Sequence, residues 1–394
     1  MYGAQLIEAL RRAAGRTTAE FRSAGQSGVA VPTQAPQPTQ ASHLEFFGVG
    51  GERMRAAGCD TVVDAKDLAV VGISEILGHL PKIWGLFRKL IAEADKHPPD
   101  LAIVIDSPAF NWRVARAMHK RGIPVVYYVA PQFWAWRQER VRLLRKYVTK
   151  ALVIFPFEEK FYRDLGVDAT FVGHPLADLP RPLIERQNYA AEHNLDPFKP
   201  WITLMPGSRI KEVCMNLPTI LESAARLGTA YEFLLPLAPN LDQDLLLTLV
   251  RSGVYSIHLV PEALPALAQS RAGIIASGTA TVEAALIGTP FVMVYRVSPL
   301  TYFLGRPRVK VRHFAMVNLI AGQEIVPELV QQDFTAENVA ARLDEILPDG
   351  PARSKMIDGL ALVTARLRAS YRDKIPAAER AAEIIITDHV RNGP

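Results

Sequence analysis

The chain reads as an α/β protein: two Rossmann-like, doubly wound parallel-sheet domains of similar size facing a central cleft. Three observations predict this. Short apolar runs alternate with helix-like runs along the chain. The alternation stops at the proline-rich, charged stretch Pro180–Pro200 and then restarts. In the second half, small-residue loops join strands to helices, where a ligand can approach the backbone.

The first helix-like segment runs from Tyr2 to Ala14, with Leu6, Ile7 and Leu10 on its apolar face. Gly15–Ser42 is rich in Gly, Ser, Thr, Gln and Pro and reads as a disordered insertion. Strands are expected at Leu44–Val49, Leu101–Ile105, Pro124–Val129 and Ala151–Phe155. The second half adds Trp201–Met205, Tyr231–Leu235, Ser256–Val260, Gly273–Ala276 and Phe291–Tyr295. The resulting plan is an N-terminal domain over 1–178, a linker over 179–200 and a C-terminal domain over 201–351. Helices of 352–394 are expected to cross back to the first domain, which permits a swapped homodimer.

At 394 residues, 49% hydrophobic and 22% charged, the chain has enough apolar mass for two cores. The net charge of +5 admits anionic partners. Nucleic acid is disfavoured, because no recognised binding module accompanies the charge. Cys59 and Cys214 form no CxxC pair, so neither a metal site nor a disulfide framework is expected and a reducing cytoplasm fits. No signal peptide is visible, and charge or proline interrupts the long apolar stretches.

Ser277, Gly278, Thr279 and Ala280 lie between a strand and a helix, where free amides and the helix dipole favour an anion. Glu283, one turn later, can accept two ribose hydroxyls. After Trp201–Met205, Gly207 and Ser208 suit a phosphate-wrapping loop, and Arg209 can hold a diphosphate through its planar fork. A solvated surface turn is the plainer alternative for that arginine. Asp106 stands at the carboxyl end of a strand, where it is either a general base for an attacking hydroxyl or a helix cap. Asn318 sits in an apolar setting, as a nucleotide contact or a buried structural amide.

Trp136 either stacks on a sugar or packs in a core. His174 is a second candidate base or a hydrogen-bonded hinge residue. The apolar stretch Leu68–Leu90 includes Ile76, Leu80, Ile83, Trp84 and Phe87, with Lys82, Arg88 and Lys89 interleaved. It suits a membrane interface or acyl chains, or else a core helix pair. Arg137, Arg140, Arg142, Arg145 and Lys146 form a basic stretch that meets lipid phosphates or is simply solvated.

The ordered set of motifs resembles lipid-A-disaccharide synthase. It comprises Phe47-Gly48-Val49-Gly50-Gly51, Leu68-Ala69-Val70-Val71-Gly72, Ile105-Asp106-Ser107-Pro108, Trp134-Ala135-Trp136-Arg137, Phe155-Pro156-Phe157-Glu158 and Gly173-His174-Pro175-Leu176-Ala177-Asp178. Pro206-Gly207-Ser208-Arg209, Ser277-Gly278-Thr279-Ala280 with Glu283, and Asn318-Leu319-Ile320-Ala321-Gly322 complete it. The resemblance implies a GT-B glycosyltransferase fold with no metal and no cofactor. It implies transfer of diacylglucosamine from UDP to diacylglucosamine 1-phosphate (lipid X), giving a β-1,6-linked disaccharide phosphate and UDP. Asp106 then becomes the base, and Arg209, Glu283 and Asn318 belong to the donor site. The enzyme would work in the cytoplasm, peripherally on the inner face of the bacterial inner membrane.

The family begins with a strand and a Gly-Glu-Ala-Ser-Gly-Asp loop ahead of the first helix. Here Met1–Leu10 matches the start of that helix, so the first sheet is expected to lack a strand. A misplaced start or an impaired remnant would each produce this. Ala109 stands where the family often has aspartate, and Ala130 and Gln132 replace frequent serines. The competing enzyme readings are a UDP-N-acetylglucosamine epimerase and a GT-B transferase with a soluble acceptor.

Overall fold

The structure is a computed structural model describing residues 1–24, 44–69, 76–238, 241, 257–298, 302–303, 311–368 and 375–390. It divides into two compact units. The first is Met1–Phe133, Gln138–Pro175 and Ala369–Pro394; the second is Trp134–Arg137 and Leu176–Arg368.

The first unit opens with α1 (Tyr2–Ala24), which extends past the expected end at Ala14. Residues 15–24 are therefore helical rather than part of a disordered insertion. Ala, Glu, Arg and Phe in that stretch are compatible with a helix, and the prolines begin only at Pro32. Residues 25–42 lie outside the described residues.

Then come β1 (Phe46–Gly50), α2 (Glu52–Ala56), β2 (Cys59–Asp64), α3 (Ala65–Ala69) and α4 (Ile76–Lys96). Next are β3 (Ala102–Ile105), α5 (Pro108–His119), β4 (Val125–Tyr128), α6 (Val141–Tyr147), β5 (Lys150–Val153), α7 (Pro156–Asp164) and β6 (Ala169–Phe171). β1 and β2 form a separate parallel pair, while β3-β4-β5-β6 form one parallel sheet in chain order. Val63 of β2 and Val104 of β3 nevertheless share one core with Phe110, Met118, Tyr127 and Val153. β4 is Val-Val-Tyr-Tyr and buried throughout, as a strand covered on both faces must be.

In the second unit α8 (Arg186–His193) falls inside the stretch read as a linker. Arg186 lies 3.6 Å over the Trp201 ring and donates to the carbonyls of Pro197, Lys199 and Gln269. Those contacts fix α8 to the sheet. The strands are β7 (Trp201–Met205), β8 (Glu232–Pro236), β9 (Ile257–Val260), β10 (Ala272–Ala276), β11 (Phe291–Tyr295) and β12 (Glu328–Val330). The helices are α9 (Ile210–Leu227), α10 (Ala263–Gln269), α11 (Thr279–Ile287), α12 (Met316–Ala321), α13 (Ala336–Ile346) and α14 (Pro351–Arg366).

All strands of this sheet are parallel, in the order β12-β11-β10-β7-β8-β9. The chain moves outward from β7 to β9, then returns to the other side of β7 with β10. That reversal is a topological switch point, where open α/β sheets leave a crevice at the strand carboxyl ends. Val213, Leu217 and Ile220 of α9 are fully buried, and each contributes about 1.5–3 kcal/mol of transfer free energy.

The tail divides. α14 stays in the second unit, where Thr364 donates to Ala285 O and Arg366 to the carbonyls of Ile320 and Ala321. α15 (Ala377–Val390) packs on α1 in the first unit, with ion pairs Arg12–Glu379 at 3.4 Å and Lys150–Asp388 at 3.0 Å. Among the described residues, no helix is long and apolar enough to cross a membrane.

Candidate functional site

In the second unit, Met205 of β7 pairs with Ile275 of β10, so the loops that follow these strands start as neighbours at the switch point. One is Pro206–Arg209 and the other Ser277–Gly278. Gly207 has φ +126 and Gly278 has φ +152, backbone that side chains rarely adopt. A Cβ on Gly207 would sit 2.7 Å from Glu212 Cβ. The sequence placed both loops correctly because glycine marks such turns.

Glu212 is a residue that sequence reasoning missed. Its Oε2 accepts the amides of Ser208 at 3.1 Å and Arg209 at 3.4 Å. Its Oε1 accepts from Arg209 Nη1 at 2.7 Å. A carboxylate thus occupies the amides and guanidinium proposed for a diphosphate. The available signal was a Glu three residues after the helix N-cap, the spacing at which a side chain reaches back to the first amides. Tyr295, at the end of β11, lies within electrostatic reach: burial first, then Glu212, push its phenol up. Asn216, also missed, is buried and donates to Pro206 O at 2.9 Å, pinning the loop from below.

Ser277 and Asn318 are both engaged within the protein. Ser277 Oγ donates to Phe314 O at 2.9 Å, so its hydroxyl hydrogen is already used. That bond ties the loop to the 311–315 segment. Asn318 is completely buried. Its Nδ2 donates to Val326 O and Glu328 Oε1, and its Oδ1 accepts from Ile325 N and Val326 N. Both ends of the amide are satisfied internally, so in this structure it clamps the 318–328 turn, the structural one of its two sequence readings. Glu328 completes the clamp by accepting the amides of Phe314 at 2.8 Å and Ala315 at 3.0 Å.

Gly278 and Thr279 are exposed at the start of α11, and Ala280 is partly so. Glu283 lies one turn further on and forms no ion pair among the described residues. It lines a cavity of ≈ 40 Å³ with Arg181, Leu264, Leu286, Thr364 and Arg368. Burial raises its carboxyl above the usual range. No residue of the 206–209 loop lines that cavity. Trp136 is exposed, with Arg137 4.3 Å over its ring.

In the first unit, Asp106 is exposed at the carboxyl end of β3. It does not act as a helix cap: Ser107 is the N-cap of α5, and no side chain caps it. Asp106 has φ 48, Ser107 φ 44 and Val129, at the end of neighbouring β4, φ 57. Left-handed backbone at a non-glycine residue costs about 1–3 kcal/mol and clusters at functional sites. His174 is buried at 1% exposure, 5.2 Å from the Phe155 ring, and desolvation lowers its pKa to about 4. Its ring is thus buried and weakly basic. Glu158 of the Phe-Pro-Phe-Glu motif is likewise internal, accepting the amides of Ile154 and Phe155.

Ile83 and Phe87 of the apolar segment are partly buried against the core, while Trp84 is 49% exposed. Residues 70–75 and the side chains of Ile76 and Leu80 lie outside the described residues.

A family model described as lipid-A-disaccharide synthetase matches residues 22–382. The chain belongs to this family. Lipid-A-disaccharide synthase of Koribacter versatilis is 50% identical over 391 residues, covering 98% of this chain and 95% of that relative. The namesake from Acidobacterium capsulatum is 49% identical over 351 residues, covering 86% and 88%. Membership makes the chain a glycosyltransferase of lipid A biosynthesis.

Among solved structures, the calicheamicin glycosyltransferase CalG4 aligns with a TM-score of 0.57 at 16% identity, covering 89% of this chain and 92% of that one. UDP-GlcNAc 2-epimerase from Neisseria meningitidis, bound to UDP-GlcNAc, aligns at 0.52 and 14%, covering 89% and 100%. At those identities the likeness speaks for fold alone. With the parallel sheets of both units, it gives the GT-B architecture.

Proposed function

We propose that the chain transfers 2,3-diacylglucosamine from UDP to the 6-hydroxyl of 2,3-diacylglucosamine 1-phosphate (lipid X). The reaction is one in-line displacement with inversion. The acceptor oxygen forms the new bond to the anomeric carbon, and the bond to the diphosphate oxygen breaks. Asp106 takes the hydroxyl proton, and UDP leaves with the bonding pair, giving the β-1,6-linked disaccharide 1-phosphate. Arg209 and the amides of Gly207, Ser208, Gly278, Thr279 and Ala280 stabilise the departing diphosphate. Glu283 binds the ribose hydroxyls.

The observation carrying this reading is family membership over nearly the whole chain, joined to two glycine-bearing loops at the β7/β10 switch point. Both substrates carry acyl chains, so the enzyme works peripherally on the inner face of the inner membrane. Exposed Trp84, with Arg88 5.7 Å over its ring, supports that placement. Exchange of α15 between copies would give a homodimer.

The test offers purified protein UDP-diacylglucosamine and lipid X, with disaccharide and UDP read by mass spectrometry. Asp106→Ala is expected to lower turnover by about 10²–10⁴-fold with UDP affinity retained. Wild-type turnover in that variant removes Asp106 as the base. No product from the wild-type chain supports an impaired remnant instead.

A further inference from the structure

β11 ends at Tyr295, beside the Ser277–Gly278 loop: Val294 pairs with Ala276, and Ser277 N donates to Val294 O at 2.9 Å. The sheet order sets β10 between β11 and β7. Yet the Tyr295 phenol feels both Glu212 and Arg209, which follow β7. Its side chain therefore leans across the carboxyl end of β10, toward the Pro206–Arg209 loop. Gly278 leaves that path open, since a Cβ there would meet nothing within 4 Å.

The rest of Tyr295 is fixed. Its carbonyl accepts from Gln331 N at 2.9 Å. The next residue, Arg296, donates to Thr219 Oγ1 at 2.7 Å and to Phe334 O. The Tyr295 ring stacks on Phe314, with centroids 6.0 Å apart and planes 27° from parallel. Phe314 is itself held: its carbonyl accepts from Ser277 Oγ and its amide donates to Glu328. Only the Tyr295 hydroxyl is unspent. Among the described residues it has no hydrogen-bond partner, and the side chain is only partly buried. Burial first, then the Glu212 carboxylate, push the phenol up against the pull of Arg209. At neutral pH it is an uncharged donor.

We infer that the Tyr295 hydroxyl donates a hydrogen bond to the diphosphate of the UDP-sugar. The assignment rests on the donor-site reading above and adds a side chain to the Arg209 guanidinium and the loop amides. Phe314 covers one face of the ring, so what Tyr295 offers to a ligand at the loops is its polar tip. Glu212 already occupies the Ser208 and Arg209 donors, whereas this one is open to the first oxygen that arrives. As the anomeric C–O bond breaks, the β-phosphate oxygen takes the bonding pair and gains charge. A donor held in place beforehand stabilises that charge more than it stabilises the bound substrate. The phenolic proton stays on Tyr295 throughout.

Tyr295→Phe in the full chain tests this, because it removes one oxygen and keeps the ring and its stack. Calorimetric titration measures UDP affinity. Competition against UDP measures the affinity of uridine, which has the base and ribose but no phosphate. The variant is expected to bind UDP about tenfold or more weakly and uridine as wild type does. Its kcat for transfer is expected to fall about 10- to 100-fold. The β-phosphorus resonance of bound UDP should differ between the two proteins.

Unchanged UDP affinity in Tyr295→Phe overturns the inference. So does equal weakening of UDP and uridine, with or without a lowered Tm, since that makes the hydroxyl structural. Wild type that binds UDP without transferring sugar sinks the reaction and leaves this contact to the binding comparison. Transfer by wild type, with the variant alike in UDP affinity and kcat, sinks the contact and leaves the reaction standing. Wild type that binds no UDP sinks both.

Discussion

Tyr127 donates its phenolic hydrogen to the backbone carbonyl of Asp106 at 2.7 Å. Asn111 Nδ2 donates to the same carbonyl at 2.6 Å and to Ile105 O at 2.8 Å. Burial, with Asp106 nearby, pushes the Tyr127 phenol far above its ordinary range, so it stays a donor. The two side chains hold the left-handed turn that presents the proposed base.

Loosening that clamp is expected to slow chemistry more than binding. Tyr127→Phe and Asn111→Ala should each lower kcat about 3- to 30-fold, through misplacement of the Asp106 carboxylate. KM for the UDP-sugar should hardly change, because the donor loops lie on other strands. Steady-state kinetics at saturating acceptor check this. A rise in donor KM with unchanged kcat would count against the clamp.

Gly207 and Gly278 are expected to respond differently to alanine. Both carry positive φ, but a Cβ at Gly278 meets nothing within 4 Å, while one at Gly207 meets Glu212 at 2.7 Å. Gly207→Ala should weaken UDP binding about tenfold or more, and Gly278→Ala by less. Calorimetric titration with UDP ranks the two.

His174 makes stability pH-dependent. Its folded pKa of about 4 lies below the ordinary 6.5, because burial disfavours the charged ring. The unfolded chain therefore binds more protons between those values, and stability falls as pH drops from 6.5 toward 4. The total is roughly 3 kcal/mol. Urea melts at pH 7 and pH 4.5 should show a smaller difference in His174→Gln than in wild type.

Asn318→Ala is expected to be a folding variant. It strips partners from Glu328 and from the amides of Ile325 and Val326, at a cost of about 2–4 kcal/mol. UDP affinity, measured well below the melting temperature, should stay near wild type. A large affinity loss with unchanged Tm would restore a ligand role.

Strand alternation was legible because β4, β7, β10 and β11 are short apolar runs bounded by turn residues. β2, β6 and β12 escaped notice: β6 and β12, at three residues each, are too brief for a pattern, and β2 carries an acid at two of its six positions. Gly207 and Gly278 were readable as turn glycines. Asp106, Ser107 and Val129 were not, since nothing in those residue types announces left-handed backbone. Motif order singled out Asn318 alongside true surface positions. Only the packing around it shows which way the amide faces.

The loop proposed to receive a diphosphate already holds a resident anion. Glu212 keeps the Ser208 and Arg209 donors satisfied. Any newcomer must therefore outcompete a tethered carboxylate, not just water. A lone chloride or acetate offers little advantage in that exchange. A chelating, multiply charged group would gain several contacts for the one it displaces, so Glu212→Gln is expected to let small anions compete better with UDP, as a competition titration would read.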